Sequence, residues 1–347
     1  MHRKILTSFF LATLFLFDLV VGAHPSFAQV GNTGTELTMV ISPAYPRPGE
    51  EVTVSIESYN FDLNRSEVHW FVNDRPVKTA VGYKKLVVRA GRNGETTIVR
   101  VAAIAENGNT YSKDTVIRPA EVNLLWQAQS YTPPFYRGKA LMPFQGTVMV
   151  TAVPTFAQGR STMAPESLIY TWKEGDDVIG GSSGKGKNLF PFRGAVPMRP
   201  KTISVLVESP DRTMSAEASI TVDPVSPRLL FYENHPRYGL LLQKALGSTF
   251  SLEEDEARID AVPYYFETSG TRGSKDMVYE WQMNYTPLES SKDPFIILRR
   301  TSDAPGRTSL FLEARSSDDK RAFQATDANL MIEFPLKGFQ FDPTLTR

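Results

Sequence analysis

Three tryptophans recur in matching surroundings, and no other feature limits the fold as much. They lie in Val68-His69-Trp70-Phe71-Val72, Tyr170-Thr171-Trp172-Lys173 and Tyr279-Glu280-Trp281-Gln282-Met283, spaced 102 and 109 residues apart. An apolar or aromatic residue stands two positions before each one (Val68, Tyr170, Tyr279). A period of two puts each pair on one face of a strand. Alternating segments flank every tryptophan. Val52, Val54 and Ile56 precede the first, Val148, Val150 and Ala152 the second, and Ala257, Ile259 and Ala261 the third. Val99-x-Val101-x-Ala103, Ile203-x-Val205-x-Val207 and Leu310-x-Leu312-x-Ala314 follow, and Tyr111–Ile117, Ala218–Val222 and Leu330–Phe334 close the units. One-sided alternation predicts antiparallel sheets with one face buried and one wet. Turn residues such as Pro48-Gly49, Asn73-Asp74, Asn107-Gly108, Gly175-Asp176 and Pro210-Asp211 separate the segments. No helical period is sustained; Leu252–Ile259 has room for one or two helical turns. The expectation is all-β: three antiparallel sandwiches, each with an indole filling the space between its sheets.

The domains are expected at 29–119, 120–224 and 225–347, after a signal peptide over 1–28. Arg3 and Lys4 precede an apolar run from Ile5 to Phe17, and Ser26-Phe27-Ala28 has the small-x-small form of a cleavage site, with Ala23 as an earlier one. A bilayer core of about 30 Å takes about 20 apolar residues, so the run is short for a span; retention as an N-terminal anchor is the alternative. Removal through Ala28 leaves a net charge of −1. The C-terminus shows neither a hydrophobic tail nor a sorting signal, so the product is expected to be secreted or held at the cell surface. The proline-containing joints Arg118–Glu121 and Asp223–Pro227 act as semi-rigid spacers and predict an elongated arrangement.

Composition removes several functions. There is no cysteine, which excludes disulfides, thiol nucleophiles and cysteine-held metals, and tilts an exported chain toward a bacterial origin. Lys+Arg and Asp+Glu both number 38, so there is no global attraction to nucleic acid. Only His69 and His235 remain beyond the signal segment; His69 is expected to face solvent, opposite Trp70. No nucleophile motif accompanies them, so a hydrolase is disfavoured and no catalytic residue is assigned. Glu253–Glu256, Asp176-Asp177 and Asp318-Asp319 are consecutive acids rather than the alternating ligands that calcium takes, and no metal or cofactor site is assigned. Gly180–Lys187 lacks the spacing of a phosphate loop and reads as a flexible hairpin tip.

Three cysteine-free sandwiches in series, each with one central tryptophan, resemble the tandem immunoglobulin-like or PKD-like domains of bacterial surface proteins. Of the antibody frame only the tryptophan is kept, and the PKD turn after it is replaced by Asn73-Asp74 and Gly175-Asp176. The resemblance implies a non-enzymatic structural or adhesive protein of the cell envelope with a protein partner. An array of carbohydrate-binding modules with a glycan ligand is the alternative.

One pair of insertions stands out. Units two and three both join an apolar first strand to an aromatic, proline-containing loop ending in Lys-Ala-Leu, at 124–141 and 229–246. Phe135, Tyr136, Arg137, Arg237 and Tyr238 are the candidate partner-binding residues, since aromatic and arginine side chains dominate interface hot spots. The competing expectation is that these loops pack across domain junctions and stiffen them.

Overall fold

The computed structural model describes residues 37–134, 136–268 and 275–336. The expected signal segment and Phe135 lie outside them. The chain is all-β, with three consecutive antiparallel Ig-like sandwiches and, among the described residues, two short 3-10 turns, Pro165–Ser167 and Asp319–Arg321. Among the described residues no helix is long and apolar enough to cross a membrane.

Sandwich 1 sets Thr38–Ser42, Glu51–Glu57 and Lys85–Arg89 in one sheet against Arg75–Val81, Glu67–Val72, Thr97–Ile104 and Thr110–Ile117 in the other. Sandwich 2 repeats this with Glu121–Ala128, Thr147–Thr155 and Leu189–Arg193 facing Ile169–Glu174, Lys201–Glu208 and Ser215–Val222. In sandwich 3, Arg228–His235, Glu256–Tyr264 and Phe295–Arg299 face Met277–Met283, Gly306–Ser316 and Ala325–Phe334. Its first strand continues into a second piece, Thr249–Ser251, which crosses over and pairs in parallel with Ala325–Phe334.

Each tryptophan sits at the same register position: Trp70 opposite Val101, Trp172 opposite Val205, Trp281 opposite Leu312. All three are buried, in three separate apolar clusters. Each indole N–H donates to a carbonyl on the approach to the facing sheet: Trp70 to Tyr83 at 2.9 Å, Trp172 to Lys187 at 2.8 Å and Trp281 to Asp293 at 2.9 Å. The ring therefore fills the gap by apolar burial and ties the two layers with its only polar atom.

Every tryptophan strand ends in a two-residue hairpin turn. Asn73 and Asp74 have φ of 49° and 62°, Asn284 and Tyr285 have 45° and 66°, and Gly175 has 60°. Asparagine and glycine tolerate this left-handed backbone. Asn73 and Asn284 also accept from the N–H groups of Ile98 and Ser309, 2.9 Å away in each case, which closes the neighbouring strand. The third turn, Asn284-Tyr285, escapes a reading based on glycine, proline and aspartate.

Three expectations are corrected. Residues 252–259 hold no helical turn, because Glu256–Tyr264 bonds to strands on both sides. Gly180–Lys187 is not a free tip. The Ser183 hydroxyl accepts from the Trp172 N–H at 2.9 Å, the Lys187 ammonium donates to the Gly181 carbonyl at 2.8 Å, and the Lys187 carbonyl takes the Trp172 indole N–H. His69 is half-buried, with Nδ1 3.1 Å from the Thr79 hydroxyl and Nε2 3.6 Å from Glu67.

Candidate functional site

The two inserted loops meet different fates. In sandwich 2 the chain leaves Ala128 and runs onto sandwich 3. The Tyr131 N–H donates to the Phe266 carbonyl at 2.8 Å, and the Tyr136 ring lies 6.2 Å from that of Tyr264. Tyr264 and Tyr232 share a hydroxyl contact of 2.8 Å. A hydrogen bond with Tyr265, and then burial, push the Tyr136 phenol upward, while burial raises Tyr264. Pro133, Pro134, Tyr136 and Arg137 border a cleft of about 590 Å³ whose other wall is Leu240, Leu242 and Tyr264 of sandwich 3. The loop returns with Lys139, whose ammonium sits 3.3 Å from the centre of the Trp126 ring. Burial there lowers the Lys139 ammonium.

In sandwich 3 the insertion folds back on its own sheet. Gly239-Leu240 pairs with Asn234-His235, and the Leu246 N–H donates to Phe231 at 2.8 Å. The projecting part shrinks to the turn Pro236-Arg237-Tyr238. Tyr238 is 76% exposed, and its ring stacks on His235 at 4.7 Å with 30° between the planes. The Arg237 N–H donates to His235 Nδ1 at 3.1 Å, which fixes the imidazole under the phenol. This turn and residues 250–258 enclose a cleft of about 750 Å³ with Glu233, Glu253 and Glu254 in its walls. Glu253 accepts from the Ser251 hydroxyl at 2.6 Å, and Glu256 is held by Arg299 at 2.6 Å. Among the described residues no group of three or more His, Asp or Glu side chains is placed to hold a metal ion.

The structure therefore divides the candidate residues. Tyr136 and Arg137 border the junction between sandwiches 2 and 3. Arg237 and Tyr238 stand on an exposed turn of sandwich 3, and Phe135 lies outside the described residues.

No family model and no curated protein matches the sequence. Solved structures with some similarity include the three N-terminal domains of the highly immunogenic outer capsid protein of bacteriophage RB49, at 12% identity over 86% of this chain and 98% of that one, with a TM-score of 0.26. Another is a set of fibronectin(III)-like modules of Clostridium thermocellum CbhA, at 11% identity over 54% of this chain and 94% of that one, TM-score 0.27. A third is the central fibronectin-III array of RIM-binding protein, at 8% identity over 81% and 92%, TM-score 0.23. Scores this low say nothing about what this chain binds.

Sequence reasoning missed the polar residues of the junction. Glu267 is 12% exposed at its side chain and accepts from the Thr147 N–H at 2.9 Å and the Thr147 hydroxyl at 3.1 Å, with Arg193 3.8 Å away. Gln324 is fully buried; its amide donates to the Phe144 carbonyl at 2.7 Å and accepts from the Glu267 N–H at 2.8 Å. In the sequence, these residues have the look of ordinary strand-end polar positions.

Proposed function

We propose that the chain is an exported, non-enzymatic structural or adhesive protein of the bacterial cell envelope. Its Ig-like sandwiches space and present a docking surface for a protein partner, and that surface is the exposed turn of sandwich 3 carrying Arg237 and Tyr238. The observation that carries this reading is Tyr238. A phenol left mostly in solvent contributes little to the fold, yet His235 stacks beneath it and presets its orientation. An exposed, pre-oriented aromatic beside an arginine has the composition of an interface anchor.

The test is affinity capture from the cell envelope with the full chain and two variants. Tyr238→Ala is expected to lose the captured protein with an unchanged melting temperature. Tyr136→Ala is expected to lower the melting temperature and keep the partner. The reverse pattern moves the docking surface to the junction. The three most exposed aromatics among the described residues, Tyr59, Tyr238 and Tyr285, lie on separate turns rather than on one flat strand face, an arrangement poorly suited to stacking a sugar chain. Glycan-array binding that disappears in Tyr238→Ala would replace the protein-partner reading with the carbohydrate one.

A further inference from the structure

The two junctions of the chain are built to different strengths. Between sandwiches 1 and 2, the Gly159 N–H donates to the Gly94 carbonyl at 3.1 Å, and the Asn93 amide reaches the Thr155 carbonyl at 3.3 Å. Between sandwiches 2 and 3, a continuous polar network runs across the boundary. Besides the Glu267–Thr147 and Gln324–Phe144 bonds, the Phe323 N–H donates to the Gln145 side-chain carbonyl at 2.9 Å. Arg321 fixes the Glu267 carbonyl from within sandwich 3 at 2.6 Å.

Two further observations point the same way. Gln145 and Tyr265, one on each side of this boundary, have φ of 55° and 60°. Side chains disfavour that backbone, which persists where the surroundings over-determine it. The outward face of sandwich 3 is also closed. Along Glu256–Tyr264 all five residues from Ile259 to Pro263 are buried. The outward Asp260 is held by Arg258 at 2.7 Å and Asn234 at 3.2 Å, and outward Tyr264 meets Tyr136 of sandwich 2.

We propose that residues 131–134 and 136–147 form a strap by which sandwich 2 completes sandwich 3, so that these two open as one cooperative unit while sandwich 1 opens separately. Gln324 is buried, and of its two side-chain bonds one stays within sandwich 3, at Glu267, and the other crosses to the strap, at the Phe144 carbonyl. Loss of sandwich 2 exposes the Tyr264 face and releases the network at once.

Hydrogen exchange followed by mass spectrometry on the full chain tests it, with one core-weakening variant in each of two sandwiches. Val205→Ala, in the core of sandwich 2, is expected to speed exchange of the most protected amides of sandwiches 2 and 3 together, by roughly tenfold or more, and to leave sandwich 1 unmoved. Val101→Ala is expected to speed sandwich 1 alone. If Val205→Ala does not fold, Ile203→Val takes its place with a smaller shift in the same segments. Adding Tyr136→Ala and Gln324→Ala to the sandwich 2 variant is expected to restore independent exchange. Slow exchange persisting in sandwich 3 when sandwich 2 is weakened overturns the proposal. So does acceleration of all three sandwiches in parallel.

Discussion

The strands Glu51–Glu57 and Glu256–Tyr264 occupy the same place in sandwiches 1 and 3, yet their surroundings differ. In the first, burial alternates: Val52, Val54 and Ile56 enter the core, and Thr53 and Ser55 stay half-exposed. In the second, burial is unbroken from Ile259 to Pro263. Both strands carry an inward period of two, which is all the local sequence specifies. What differs is the neighbour. Sandwich 1 has only the short connection from Ser42 to Glu51 after its first strand, whereas the loop from sandwich 2 reaches the Tyr264 end of the other strand. The outward face is held by residues of its own sandwich, Asn234 and Arg258 at Asp260, and at Tyr264 by Tyr136, more than a hundred residues away.

The deepest layer should be insensitive to this difference. Trp70→Ala and Trp281→Ala each remove a buried indole and its hydrogen bond, and each is expected to destabilise its sandwich by about 3–5 kcal/mol. Hydrogen exchange resolved by sandwich measures both. Equal losses place the shared architecture in the tryptophan layer; a loss below about 1 kcal/mol at either ring removes it as the organising element.

The outward faces should respond unequally. Val262→Thr puts a hydroxyl where the outward face of sandwich 3 is sealed, and is expected to cost about 1–3 kcal/mol. Thr53→Val, at an outward position of sandwich 1, should change stability by no more than about 0.5 kcal/mol. Urea unfolding of the two variants compares them, and equal effects would mean that the covering loop does not seal the sheet.

The sandwich layer was legible because its signal is local. A period of two, a tryptophan in each unit and turn residues at regular intervals lie within short windows. The junction was only half legible. The aromatic loop after Ala128 stood out by composition, but nothing in the sequence says that its tyrosines face Tyr264 rather than a partner. Thr147–Glu267 and Phe144–Gln324 join residues 120 and 180 positions apart. Threonine, glutamate and glutamine are also the residues expected in solvent, so their burial follows only from how two domains meet.

The position two before each tryptophan gives a subtler contrast. Sandwich 1 has Val68 there, and sandwich 2 has the fully buried Tyr170. The Tyr170 hydroxyl donates to the Pro165 carbonyl at 3.0 Å, and burial, then Glu166, push its phenol up from 10.0 to about 12. A raised folded-state value means that the neutral form is favoured in the native state. The stability tied to it is present in full below pH 10 and is lost as pH rises through about 12. Sandwich 2 is expected to lose about 1–2 kcal/mol across that window. Unfolding followed by the tyrosinate absorption band measures this, and Tyr170→Phe should flatten the slope. An unchanged slope in that variant would assign the alkaline loss to another group.

A modest effect is expected at the weaker junction. Gly94 has φ of 86°, and a Cβ there would come within 2.3 Å of the Gly159 carbonyl oxygen. A backbone atom cannot swing aside as a long side chain does, so Gly94→Ala must part the two segments. The cost is expected to be about 1 kcal/mol, because a single hydrogen bond and a disfavoured φ are at stake. Exchange at the Gly159 amide should rise while the network around Glu267 and Gln324 keeps its protection. Should protection at Glu267 fall along with Gly159, the two boundaries are coupled through sandwich 2, and the contrast between a lightly tied first junction and a strapped second one fails.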